Sequence, residues 1–381
     1  MFHQLYSDID RHFWRFYSDA KIIACLTVQD SIALIQQSLL SLKTHKPLII
    51  SDIGVSQTQA FIELQAELKF PVEQVGYECE EQPIRDIIQL IKTQHYDQII
   101  AIGGGSVLDA AKYISASVFS PALDSILKQH DLNHPRLPVI TIPTTFGTGS
   151  ESNMYSHIKI NGIKYSTRKS WLTPDVSLLI GQFGIEQPKS LRILSALDAW
   201  LHAFEVLTLK REKSPLNEAI LIHALKLHQQ STNDFIASPT CENSLQVATA
   251  SCMAGMGLNN ARTGLIHSLA TPYAEIFKLP HAESLIPFIK PVIQYNWHGI
   301  KQYFTTYHSD KEFIVMLEKL FLNDAIKLFK NDVKCDESLY EKMTKQCLLD
   351  VVLIKENPVE LTEQAILKLF KQSIVNDTEV K

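Results

Sequence analysis

Short runs rich in Ile and Val recur through the first half of this chain, with amphipathic stretches between them, and then stop. Residues 47–52 (PLIISD), 98–103 (QIIAIG), 138–144 (PVITIPT) and 176–180 (VSLLI) have the length and apolar character of strands buried on both faces. Between them, residues 83–94 (PIRDIIQLIKTQ) place Ile84, Ile87, Ile88 and Ile91 on one helical face. Repetition of strand, helix, strand predicts a parallel sheet covered by helices. From about residue 188 onward the periodicity is helical, in 190–209, 216–232, 244–257, 310–329 and 361–374. The expected organisation is an α/β domain over 1–183 followed by an all-helical domain over 184–381.

Charge and apolar patterning narrow the function classes. Lys and Arg total 36 against 41 Asp and Glu, a formal charge of −5, which provides no general attraction to nucleic acid or anionic lipid. No apolar run approaches the ~20 residues that span a bilayer. Residues 1–14 mix His, Asp and Arg with aromatics and lack the apolar core of a signal peptide. The chain is therefore read as cytoplasmic, with neither nucleic acid nor membrane as partner. No two of its cysteines have CxxC spacing, so zinc ribbons and thioredoxin-type redox motifs are excluded.

Two glycine-containing clusters follow predicted strands. Gly103-Gly104-Gly105-Ser106 leads into a helix, where glycines admit an anion to backbone N–H groups and the helix N-terminus attracts phosphate. Ser106 with Asp109 has capping-box spacing. A tight strand-to-helix turn would use the same residues. Thr144-Thr145-Phe146-Gly147-Thr148-Gly149 is the second cluster, readable as a ribose or pyrophosphate loop or as an ordinary polar loop. Open α/β sheets bind nucleotides at such strand ends. Asp52, ending its strand, suits adenosine ribose hydroxyls and opposes a 2′-phosphate, and equally suits a helix cap.

The helical half carries metal-ligand chemistry. Asp198 and His202 lie four apart in a helix-like stretch, on one face, a spacing shared with simple surface pairs. His267 lies in an apolar run and His281 follows Pro280; the prolines at 272 and 280 are expected to interrupt any continuous helix between them. Each histidine alone fits a structural place. One Asp with three His is nonetheless a complete N/O set for Zn²⁺ or Fe²⁺, with room for a substrate oxygen.

Taken together, GGGSVLDAAK at 103–112, PTTFGTGSE at 143–151, DAWLHAFE at 198–205, His267 and His281 fourteen apart, and ENPVELT at 356–362 resemble the iron-containing (group III) alcohol dehydrogenases, nearly end to end. The resemblance implies a dehydroquinate synthase-like architecture: an α/β nucleotide-binding domain with a parallel sheet, then an all-α metal-binding domain. It implies that Gly104, Gly105 and Ser106 hold the cofactor pyrophosphate, helped by Asp109. Thr144, Thr145 and Thr148 would contact the cofactor, and Asp52 would favour NAD(H). Asp198, His202, His267 and His281 would bind Fe²⁺ or Zn²⁺ and act catalytically through it, in a homodimer. The implied reaction is reversible hydride transfer between nicotinamide and a carbinol carbon, with the metal as Lewis acid.

Several positions depart from the family pattern. Residues 24–27 read ACLT where FGxG is usual, Gly181-Gln182 replaces Asp-Pro, and Ala196 replaces a glycine. Thr271 stands where many alcohol-oxidising members have a second histidine. Threonine can relay a hydrogen bond through water but does not titrate near neutrality, so reduction of a small polar aldehyde or ketone is the expected direction; the alternative is that Thr271 only packs the turn before Pro272. Residues 160–166 with Arg262 resemble the phosphonoacetaldehyde reductase branch, which points towards a small anionic aldehyde; Lys164 and Arg262 could pair with such an anion, and both equally suit surface or structural charges. The competing assignment is an NAD-using sugar-phosphate cyclase resembling dehydroquinate synthase. Such enzymes present Glu as first metal ligand and a richer basic site.

Overall fold

The computed structural model describes residues 18–374, apart from 77–78, 121–122, 129–130, 212 and 330–334. The N-terminal stretch examined for a leader lies outside the described residues. Among them, no helix is long and apolar enough to cross a membrane.

A six-stranded parallel sheet forms the first half, in the order β1-β8-β5-β4-β2-β3. Its strands are β1 (Lys21–Cys25), β2 (Pro47–Ser51), β3 (Val72–Gln74), β4 (Gln98–Gly103), β5 (Val139–Pro143) and β8 (Val176–Ile180). Every residue of β2, β4, β5 and β8 is buried, which is why those four read as continuous apolar runs. Edge strands β1 and β3 are only partly buried, and the sequence reading did not find them. The chain leaves β2 towards one sheet edge and β4 towards the other, so strand order reverses between them. Ser51 lies opposite Ile102, and Gly103 opposite Pro143. This register releases Asp52, Gly104 and Thr144 from the sheet side by side, where open α/β sheets bind ligands.

Helices α1 (Val28–Leu42), α2 (Ile53–Ser56), α3 (Gln59–Leu68), α4 (Glu81–Gln94) and α5 (Gly105–Ser117) connect the strands. An antiparallel hairpin, β6 (Tyr155–Ile160) and β7 (Ile163–Arg168), lies outside the main sheet. Asn161 (φ 52°) and Gly162 (φ 76°) turn it in the left-handed region, the chemistry Asn-Gly supplies.

The helical half contains α6 (Lys189–Thr208), α7 (Pro215–Ala237), α8 (Cys241–Asn260), α9 (Leu265–Phe277) and α10 (His281–Ile300). Every residue of α6 from Ser195 to Thr208 is buried, so this helix runs through the domain's centre. Trp200 stacks on Phe204 at 4.9 Å between ring centroids, with Phe313 and Phe321 against it. The stretch read as one helix over 310–329 is Asp310–Leu317 and Asn323–Leu328 joined by a π-helical segment, Glu318–Leu322.

Pro272 departs from its expected role: it lies inside α9. It cannot donate to the carbonyl of Ser268 four residues earlier. The Cys347 thiol donates to that carbonyl instead, at 3.2 Å. The break between His267 and His281 falls at Lys278, which takes a left-handed φ of 56°, and Pro280 then begins α10.

Candidate metal and nucleotide site

Three helices bring four polar side chains to one point. Asp198 and His202 project from α6, His267 from the first turn of α9, and His281 from the first position of α10. One ligand atom from each lies within 4.8 Å of the others. Asp198 Oδ1 is 3.4 Å from His267 Nε2, 3.5 Å from His281 Nε2 and 3.7 Å from His202 Nε2. Ligands held 2.0–2.2 Å from a tetrahedral ion lie roughly 3.3–3.6 Å apart. Asp198 Oδ1 and His267 Nε2 are buried without a hydrogen-bond partner among the described residues. A divalent cation would satisfy both, so the residues present fit one.

Burial works against charge on Asp198, but the three histidines outweigh it and hold its carboxyl well below the usual range. Burial lowers His202 to about 4, leaving a neutral imidazole, the form that binds metals. Its Nδ1 lies 3.2 Å from the carbonyl of Gly147. A carbonyl only accepts, so the proton sits on Nδ1 and the Nε2 lone pair faces Asp198. Burial also lowers His267, but two carboxylates, Glu205 first, raise it to about 9. A bound cation competes with that extra proton. Glu205 is a residue the sequence reading left without a role, although its position three after His202 puts it on a neighbouring stretch of the same face.

At the sheet, Gly104 and Gly105 begin α5, and Gly104, Gly105 and Ser106 are all partly exposed. A Cβ on Gly104 would lie 3.1 Å from Thr145 Oγ1, and one on Gly105 2.7 Å from Thr148 Cγ2. The two glycine-containing loops therefore face each other across a space kept open by the missing side chains. The Thr144 hydroxyl is buried without a partner among the described residues. This is a cradle that the phosphates and ribose of a dinucleotide fit. Asp52 caps α2, accepting from the Val55 N–H at 2.9 Å.

Asp109 stands elsewhere than expected. Gly104 is the N-cap of α5 and no side chain caps that helix, so Ser106 and Asp109 form no capping box. Asp109 is buried one turn further on. It accepts from the Ser150 hydroxyl at 2.5 Å, the His157 N–H at 2.9 Å and His157 Nδ1 at 3.1 Å, and lies 3.3 Å from the Lys112 ammonium. Burial would raise this carboxyl, but Lys112, His157 and Ser150 outweigh it and hold it at about 2. Lys112, itself buried, also donates to Ser150 O at 3.0 Å and to the carbonyl of Tyr155. The network ties α5 to the 144–153 loop and to β6. Gly149, at φ 59°, completes the anchoring: its α-carbon packs against Gly255 of α8 where neither position has room for a Cβ. A single loop thus touches both halves of the site, through Thr148 at the nucleotide cradle and Gly147 at His202.

Thr271 sits one turn after His267 and donates its hydroxyl to the His267 carbonyl at 2.9 Å, leaving its oxygen able to accept. Arg262 pairs with Asp350 at 2.5 Å. The side chain of Lys164 lies outside the described residues.

Comparison with known proteins gives the family and the fold. Residues 25–180 match the family model for iron-containing alcohol dehydrogenase, and residues 192–374 match the C-terminal model of the Fe-containing alcohol dehydrogenase family. The chain is 29% identical over 294 residues to a probable alcohol dehydrogenase, EutG, of Escherichia coli, covering 72% of each. It is 25% identical over 353 residues to an NAD-dependent methanol dehydrogenase of Bacillus methanolicus, covering 86% of this chain and 92% of that one. The fold superposes on a 1,3-propanediol oxidoreductase with a TM-score of 0.84 at 21% identity, covering 95% of this chain and all of the other. The sugar-phosphate cyclase alternative is not favoured, since both halves match alcohol dehydrogenase models. The chain belongs to the iron-containing alcohol dehydrogenase family, whose members are metal-dependent, NAD(H)-using oxidoreductases.

Proposed function

We propose that this protein is a cytoplasmic, homodimeric reductase of a small polar carbonyl compound, with Asp198, His202, His267 and His281 as metal ligands and NAD(H) held by the 104–106 and 144–148 segments. Residues 1–183 form the nucleotide-binding domain and 184–381 the metal-binding domain. The observation that carries this reading is the convergence of three imidazole Nε2 atoms on Asp198 Oδ1, beside the loop that also lines the nucleotide cradle. When bound, a divalent cation supplies Lewis acidity to a carbonyl or carbinol oxygen, and the nicotinamide supplies or takes the hydride. The chain's own work is positioning. The N–H groups at the start of α5 receive the pyrophosphate, Thr144, Thr145 and Thr148 orient the cofactor, and buried α6 fixes Asp198 and His202 in one orientation.

A panel of charged and neutral aldehydes and alcohols, assayed with NADH, NADPH and NAD⁺ after Fe²⁺ or Zn²⁺ loading, tests the proposal. Turnover is expected to be fastest for a small polar aldehyde with NADH. Absence of turnover on every carbonyl compound, with phosphate release from a sugar phosphate, would reject it.

Two substitutions refine the reading. Asp52 places a negative charge where a 2′-phosphate would approach, so Asp52→Gly is expected to narrow or reverse the preference for NADH over NADPH. A wild-type enzyme with higher kcat/KM for NADPH would contradict this. Thr271→His is expected to add a group titrating near roughly pH 6–7 to the profile of kcat, because an imidazole there can carry the proton exchanged with substrate. Superimposable profiles in both directions would mean that position 271 takes no part in proton movement.

A further inference from the structure

Behind the metal ligands stands a carboxylate that ligation does not explain. Glu205 of α6 is 3% exposed. Its Oε2 lies 2.6 Å from His267 Nδ1 and accepts from the Gly264 N–H at 2.9 Å, while Oε1 accepts from the Ile266 N–H at 2.5 Å. Gly264 is the N-cap of α9 and has no side chain to satisfy that helix's free N–H groups. One carboxylate from α6 thus closes the start of α9 and grips the ligand-bearing histidine in its first turn.

Resting on the metal-site reading above, we propose that Glu205 is a positioning residue for the metal, fixing the ring of His267 and keeping its proton on Nδ1 so that Nε2 presents a lone pair to a divalent cation. A carboxylate can only accept, so the hydrogen bond to His267 requires Nδ1–H. Two backbone donors hold the carboxylate in place, which removes the freedom to rotate away. The opposite ring nitrogen, Nε2, is the buried atom without a partner among the described residues, 3.4 Å from Asp198 Oδ1. The other ligands have weaker support: His202 has a neutral carbonyl behind it, and the His281 side chain is 50% exposed. His267 is therefore the ligand with a charged partner of its own, and such partners raise ligand basicity and lock orientation. Gly264 belongs to the arrangement, since a Cβ there would lie 3.1 Å from Glu205 Oε1 and 3.2 Å from its Cδ.

Glu205→Gln tests this without removing bulk, because the amide NH₂ would compete as a donor towards Nδ1 and favour the wrong tautomer. Metal-free full-length protein is titrated with Co²⁺ in competition with a chromophoric chelator, and the visible bands of bound Co²⁺ report its coordination. Glu205→Gln is expected to weaken Co²⁺ binding by roughly 10–100-fold and to shift those bands. The same substitution in a His267→Ala background is expected to add less than about threefold, by the coupling logic of a double-mutant cycle. Unchanged affinity in Glu205→Gln, or an equal loss with and without His267, would overturn the proposal. If Glu205→Gln does not fold, Gly264→Ala takes its place: crowding the carboxylate is expected to weaken Co²⁺, and wild-type affinity would overturn the proposal. His267→Ala that binds Co²⁺ as tightly as wild type would refute the metal-site reading itself, and this inference with it.

Discussion

Asp198→Ala is expected to leave the purified protein with less than about one tenth of an ion per chain and to reduce turnover by at least roughly 10³-fold, a larger loss than the 10–100-fold typical of an outer-shell partner. Asp198 contributes the only carboxylate oxygen of the cluster, and the three imidazoles are arranged around it. Without it, three neutral donors remain to hold a dication in a largely buried site, and the nearest remaining carboxylate, Glu205, stands behind His267 rather than among the ligand atoms. Elemental analysis after gel filtration, with circular dichroism to verify folding, measures the effect. A folded Asp198→Ala protein with a full complement of metal and full activity would remove Asp198 from the ligand set. His202→Ala, His267→Ala and His281→Ala are expected to act in the same direction.

A single methyl group on α8, which carries none of the four ligand residues, is expected to disturb both halves of the site. In Gly255→Ala the new Cβ would sit 2.3 Å from Gly149 O, 2.4 Å from Ser152 Oγ and 2.8 Å from Gly149 Cα. Most of those atoms are backbone, so the 144–153 loop or α8 must move, and overpacking of this kind costs roughly 1–3 kcal/mol or more. The same loop carries the Gly147 carbonyl that holds His202 and the Thr148 side chain beside Gly105. Metal affinity and the KM for NADH are therefore expected to worsen together, with a lower Tm. Gly162→Ala is the contrast. Its φ of 76° imposes about 1 kcal/mol of backbone strain, but nothing lies within 4 Å of the new atom. Its Tm is expected to fall while metal and cofactor binding hold. Metal content, NADH kinetics and thermal unfolding of the two variants decide the matter. Gly255→Ala with normal metal and cofactor binding would show that the loop does not couple the two halves.

Much of this site was legible in the chain because its signals are local. Parallel strands buried on both faces announce themselves as Ile- and Val-rich runs, and the glycines after β4 mark a backbone that an anion can approach closely. The i, i+4 spacing of Asp198 and His202 places both on one face before any tertiary contact forms. Resemblance to a known family then joined His267 and His281 to them, which spacing alone does not do across two prolines. The partly buried strands β1 and β3 escaped because short, half-exposed segments carry no such signature. Asp109 was misplaced for a related reason. Its spacing from Ser106 is that of a capping box, but the pull of His157 and of buried Lys112 and Ser150 is exerted by residues up to 48 positions away. Pro272 looked like a helix break because the sulfhydryl that compensates for its missing donor comes from Cys347, on another helix. Glu205 was visible on the ligand face of α6, but its bond to His267 spans 62 residues. Residue types and local spacing thus determined which groups were available for the chemistry. Tertiary packing alone decided which buried charges found partners, because a carboxylate removed from water is stable only where distant donors converge on it.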